Sequence, residues 1–241
     1  MLVIRADPSI TCKSMPRNQN ITQLWPVSIL TRKFGKSQNI NPQLIKLFSE
    51  YRTQHPGPPG AVYISPDNFA EDSKDPSMLA LQKFIMDGVF EVASEVNGPF
   101  WSKNQAIDIA ITGLWFQISN NYGFHETHVH GNCSWSGVYY VQSGDCSKKP
   151  GETGDNGQPN GITRFYGPHT EYQAGGHGDL GNLYLQSHSF DSYPEDGKLV
   201  IFPSHLKHMV FPYNGQQDRI IVSFHAQVNG EKELRYNYAS T

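Results

Sequence analysis

Apolar positions along the chain change their period once, near residue 100. Between Leu24 and about Gly98 they recur at helical spacing. Asn41-Pro42 has the form of an N-cap followed by proline at the first helical position, and Leu44, Ile45, Leu47 and Phe48 then share a face as far as Tyr51, before the HPGPPG run at 55–60 ends the helix. Asp75-Pro76 repeats the start signal. Leu79, Phe84, Ile85, Val89, Val92 and Val96 continue it until Asn97-Gly98-Pro99, which makes this second helix the long one. After Phe100 the apolar residues fall in short β-branched and aromatic stretches separated by Gly, Pro, Asn and Ser. These predict strands near 105–119, 126–130, 136–142, 162–166, 180–186, 198–202, 208–211 and 218–226. Such a succession of strands without a helical period points to a closed or double-sheet β architecture.

The stretches 144–161 and 167–179 are almost devoid of apolar residues and read as surface loops, with Lys148, Lys149, Arg164, Glu171 and Tyr172 as candidate substrate contacts. No internal repeat is visible. The economical organisation is one domain over 22–241, in which a helical layer (22–100) supports a β core (101–241) behind a disordered extension at 1–21. That extension lacks the apolar stretch of about 7–15 residues that a secretory signal requires.

Composition narrows the class. The chain has 241 residues, of which 17% are charged and 12% aromatic, with 22 Gly and 16 Pro, a loop-rich mixture that excludes disorder, coiled coil and collagen. Nineteen basic against 22 acidic residues give a formal charge of −3, so there is no global positive field and nucleic acid is not an expected partner. No run approaches the ~18 apolar residues of a membrane span. Three cysteines, Cys12, Cys133 and Cys146, form no CxxC pair and match no disulfide scaffold, which places the protein in a reducing, intracellular and cytoplasmic setting.

Ten histidines stand out, and three fall within Phe124-His125-Glu126-Thr127-His128-Val129-His130-Gly131. On a regular strand Glu126, His128 and His130 project to one face while His125 and Val129 point away. That gives neighbouring donors for a metal, or else a polar strand facing water. Downstream, the Lys198–Phe202 strand leads through Pro203-Ser204 to His208, and Arg219 follows eleven residues later at the head of a strand where Arg219, Ile221, Ser223 and His225 share a face. An arginine directed into a barrel needs an anionic partner. Where no protein acid supplies one, a small carboxylate or phosphate fits the guanidinium fork.

These residues resemble the iron(II)- and 2-oxoglutarate-dependent oxygenases, of the prolyl-hydroxylase-like kind with an HxH…H…R pattern. The resemblance covers about 115–225 and rests on Trp115-Phe116-Gln117, His128-x-His130, Ser136-Gly137-Val138-Tyr139-Tyr140-Val141, the turn Pro194 to Gly197, Phe202-Pro203-Ser204-x-Leu206-x-His208, and Arg219. Leu24-Trp25-Pro26-Val27 also looks like the opening of that group. It implies a mainly β double-stranded β-helix, a jelly-roll or cupin-like fold, with N-terminal supporting helices. It also implies Fe(II) and 2-oxoglutarate as cofactor and co-substrate, with ascorbate as an optional reductant. His128 and His208 would be metal ligands, Arg219 would hold the distal carboxylate, and Tyr140 and Ser223 would assist it. The substrate, a small molecule or a peptide, would be hydroxylated with release of succinate and CO2.

The sequence departs from the broader pattern at two places. Position 130 is His where the common triad has Asp or Glu, so either His130 completes a three-histidine centre or Glu126 supplies a carboxylate; the motif register favours His130. Ile221 stands where many members carry serine. His205 reads as a surface residue, His225 as too far along its strand to reach the same metal, and His55, His125, His169, His177 and His188 as solvated loop residues. Trp115, Trp135, Phe116 and Tyr139 read as packing residues, Asn120-Asn121 as a turn, and Gln117 as a candidate pocket residue. A cupin-like module that binds a metal or a small acid without oxygen chemistry is the competing function.

Overall fold

In a computed structural model the described residues are 27–102, 106–167 and 189–230. The predicted extension at 1–21, the predicted strand at 180–186, most of the 167–179 loop, and His169, His177 and His188 lie outside them.

Helix α2 (Pro76–Asn97) forms as its sequence dictates: the Asp75 side chain accepts hydrogen bonds from the Ser77 and Met78 N–H groups at 2.8 and 3.1 Å, and Pro76 occupies the first turn. Helix α1 (Ser37–Gln54) starts four residues before the Asn41-Pro42 signal. Pro42 is thus the sixth residue of the helix, past the first turn, where it cannot donate to the Gln38 carbonyl and crowds it. Asn41 does not cap this helix. It is buried, donates to the Val141 carbonyl at 2.7 Å and accepts from the Tyr139 hydroxyl at 2.7 Å.

Among the described residues ten strands form two antiparallel sheets. The larger has the order β1 (Leu30–Lys33), β8 (Lys198–Pro203), β5 (Trp135–Gln142), β10 (Arg219–Asn229), β3 (Asp108–Ser119), β2 (Val62–Ile64). The smaller has the order β4 (Gly123–His128), β9 (His208–Tyr213), β6 (Thr163–Tyr166), β7 (Ser189–Ser192). Two stacked antiparallel sheets with these crossovers make a jelly roll, the double-stranded β-helix that the resemblance implied. Strands β1, β2 and β7 were not anticipated. Each spans only three or four residues at a sheet edge, too short for alternation to register.

Period-two alternation divides the larger sheet cleanly. Trp135, Tyr139 and Val141 of β5, Leu199 and Ile201 of β8, and Ile220, Val222, Phe224 and Ala226 of β10 join the core that both helices cover. Val138, Tyr140, Val200, Phe202 and Ile221 face the other way, into a smaller cluster with Phe165 and Leu206. Central strands buried on both faces explain why 136–142 and 198–202 read as unbroken apolar runs. Helix α2 approaches closely at Gly88, where a Cβ would come within 2.9 Å of Ile201 Cδ1. The 144–161 segment is not merely a surface loop, because Cys146, Ser147 and Asn160 are buried; the Asn160 amide donates to the Asp145 and Asn214 carbonyls at 2.8 and 2.9 Å.

Candidate metal centre

The three histidines converge, although not by the alternation the sequence suggested. Strand β4 ends at His128, directly opposite His208 at the start of β9, and its register is irregular between His125 and His128. A bulge of this kind re-aims side chains. It turns Glu126 to solvent, so Glu126 is exposed and stands apart from the cluster, while His125 and His128 both line the cavity between the sheets. His130 lies beyond the strand. Its backbone N–H donates to the Ser204 carbonyl at 2.9 Å, which anchors the turn through the left-handed Asn132 against the β8–β9 connection.

Ligand atoms of His128, His130 and His208 all lie within 4.8 Å of one another. The His128 Nδ1 lies 2.6 Å from the Glu126 carbonyl and the His208 Nδ1 2.8 Å from the Leu206 carbonyl. A carbonyl can only accept, so both Nδ1 atoms carry the proton and both Nε2 lone pairs are free for a cation. His208 is 5% exposed and packs edge-on to Phe202, with ring centroids 4.7 Å apart. Burial, with smaller contributions from His208, His225, His128 and His125, lowers the His130 pKa to about 3; burial is also the main cause for His208, at about 4. His130 and His208 are therefore neutral at neutral pH, and three imidazole nitrogens fit a divalent transition metal.

Arg219 is 1% exposed, and its Nε, Nη1 and Nη2 have no hydrogen-bond partner among the described residues. Its Cζ lies 5.4 Å from the centre of the Tyr140 ring, and the Tyr140 hydroxyl pairs with Thr163 Oγ1 at 3.1 Å. Arg219 opens into the same cavity as the histidines. This space of about 240 Å³ is also lined by Ile64, Trp115, Gln117, Val138, Thr163, Phe202, Ile221 and Ser223. The expected inward face of β10 is thus present, with Ser223 on the wall between Arg219 and the histidines, and no described lining residue is acidic.

Several residues set aside from the sequence belong to this site. His125 lines the cavity instead of lying in a solvated loop. Its buried Nε2 has no hydrogen-bond partner among the described residues, and burial together with Arg219 and His128 lowers its pKa to about 4. His225 lies beside the centre, with its ring 4.6 Å from that of His130 and 4.8 Å from that of Trp115. The long reach along β10 separates His225 from Arg219, and the centre sits at the His225 end. Trp115 lines the cavity, whereas Phe116, Trp135 and Tyr139 are core. Gln117 also lines it, with a buried Oε1 that has no hydrogen-bond partner among the described residues. His205 is exposed, and Asn120-Asn121 forms a turn with Asn121 at φ 50°. Arg164 is not free for a substrate, since it holds Asp191 through two bonds of 2.7 and 2.8 Å. Only the bulge and the crossover could have revealed His125 and His225, and neither leaves a mark in local periodicity.

Among the described residues no helix is long and apolar enough to cross a membrane. Residues 113–225 match the model of a family described as "Putative 2OG-Fe(II) oxygenase". No curated protein is matched significantly. Among solved structures, HygX from Streptomyces hygroscopicus with nickel and 2-oxoglutarate bound superposes with a TM-score of 0.54 at 13% identity, covering 83% of this chain and 82% of that one. The iron-bound form of HygX gives 0.51 at 11% identity, covering 83% and 82%. The non-heme alpha ketoglutarate dependent epimerase SnoN from nogalamycin biosynthesis gives 0.53 at 8% identity, covering 83% and 76%. These similarities agree with the jelly roll traced above, and residues 113–225 are similar to the putative 2-oxoglutarate- and iron(II)-dependent oxygenases whose model they match.

Proposed function

We propose that the protein is a non-haem iron(II)- and 2-oxoglutarate-dependent dioxygenase in which His128, His130 and His208 hold the metal and Arg219 holds the distal carboxylate of the co-substrate. The observation that carries this reading is Arg219. Among the described residues no nitrogen of this buried guanidinium is hydrogen-bonded, an arrangement that costs several kcal/mol if no anion pairs with it, and it opens into the cavity that the three histidines enter. A dicarboxylate with a keto-acid end meets both requirements, and HygX has been crystallised with it.

Each residue has a definable task. The Glu126 and Leu206 carbonyls fix the tautomers of His128 and His208. The Tyr140 ring supports the guanidinium from below through a cation–π contact. Phe202, Val210, Ile221 and Phe224 keep water from the cavity, which strengthens every charge interaction inside it. When bound, iron(II) and 2-oxoglutarate supply dioxygen activation coupled to decarboxylation to succinate and CO2, ordinarily ending in hydroxylation of a C–H bond. At about 240 Å³ the cavity is below the ~300–1,000 Å³ of a drug-sized pocket. The co-substrate therefore fills most of it, and the molecule to be oxidised, whether a metabolite or a peptide, approaches at the mouth.

Incubation with iron(II), 2-oxoglutarate and ascorbate is expected to release succinate, slowly and uncoupled in the absence of the true substrate. No succinate, together with no anaerobic binding of 2-oxoglutarate, would refute the proposal. The all-nitrogen donor set favours one second reading, a cupin-like module holding zinc or nickel. As-purified zinc that iron(II) cannot displace would support it.

A further inference from the structure

We propose that His125 is a second donor to the co-substrate, acting with Arg219 on its distal carboxylate. The inference rests on the function proposed above. Three facts about His125 converge. It faces the cavity, because the irregular β4 register brings it round to the inner side. Its Nε2 is buried and makes no hydrogen bond with any described residue, the condition shared by all three guanidinium nitrogens of Arg219. It also stands apart from the metal: its ring centroid is 6.3 Å from that of His128, and it lies outside the group whose ligand atoms approach within 4.8 Å.

A merely structural role accounts poorly for this residue. Its cross-strand partner on β9 is Val210, which also lines the cavity, so an apolar side chain would suit the position without burying an unpaired nitrogen. An imidazole N–H aimed into a cavity that also receives a guanidinium suits a ligand with several lone pairs at one end. A carboxylate has four, enough to accept from the fork of Arg219 and from a second donor together.

The test compares two keto acids. Full-length protein loaded with manganese(II) is titrated by anaerobic calorimetry with 2-oxoglutarate and with 2-oxobutyrate, which has the same keto-acid end and no distal carboxylate. His125→Ala is expected to weaken 2-oxoglutarate binding about tenfold or more, leave 2-oxobutyrate binding unchanged, and leave manganese content unchanged. His125→Gln, whose amide nitrogen reaches near the Nε2 position, should recover much of the loss. If His125→Ala does not fold, His125→Phe keeps a flat ring without the donor and carries the same expectation. Unchanged 2-oxoglutarate affinity, equal losses for the two acids, or loss of metal would each overturn the assignment while leaving the proposed function intact. Failure of the unmodified protein to bind 2-oxoglutarate would overturn both.

Discussion

On the proposed function Arg219 is held in its site at the expense of stability, since a cation that is 1% exposed and has no hydrogen-bond partner among the described residues is disfavoured until an anion pairs with it. Arg219→Met keeps the volume and removes the charge. It should abolish 2-oxoglutarate binding by calorimetry yet raise the melting temperature of the metal-free protein by about 2–4 °C for each kcal/mol recovered; a lower melting temperature would contradict this account. At the proposed metal centre, His130→Asp replaces an imidazole donor with a carboxylate. Metal content after dialysis against equal iron(II) and zinc should move toward iron, with manganese following. At this scale the sequence was informative where spacing alone decides: His128, His208 and Arg219 were legible because their order and separation survive folding. His125 and His225 were not, because their inclusion depends on a bulge in β4 and on which end of β10 lies beneath the centre.

Among elements, the two helices differ in how their ends are secured. Asp75→Ala removes two hydrogen bonds to the first turn of α2 and should cost about 1 kcal/mol in urea unfolding. Asn41→Ala should cost more, about 2–3 kcal/mol, because it leaves the buried Val141 carbonyl and Tyr139 hydroxyl unpaired. The start of α2 was legible because Asp75-Pro76 does in the fold what its chemistry favours. The start of α1 was misplaced because Asn41, an equally good cap by type, is recruited to tie the helix to β5. Strand β5 carries a further constraint: a Cβ on Gly137 would collide with the Phe224 ring and with the Val200 carbonyl. Gly137→Ala should therefore push β10 and β8 apart and sharply reduce soluble yield, and its melting curve would show this directly.

For the whole molecule, pH sensitivity follows from the imidazoles. His125, His130 and His208 have folded pKa values of about 4, 3 and 4, below the ordinary value of 6.5. Between those limits the unfolded chain binds more protons than the folded one, so stability falls as pH drops from about 6.5 toward 4 and is unaffected by these groups above that range. Melting curves of the metal-free protein from pH 8 to 4.5 should be flat at first and then decline. Bound metal should steepen the acid limb, since protons and the cation compete for the same nitrogens.

Among the described residues the larger apolar cluster lies on the helix side of the larger sheet, and the smaller cluster between the sheets leaves room for the cavity. Alternate residues of one strand consequently answer to different demands. Along β10, Ile220 and Val222 face the helix-side core, Phe224 packs in that core and also borders the cavity, and Arg219, Ile221 and Ser223 line the cavity. A saturation library of β10 scored separately for abundance and for 2-oxoglutarate binding should split by odd and even position. Such a scaffold can acquire new specificities by drifting at one parity while purifying selection holds the other.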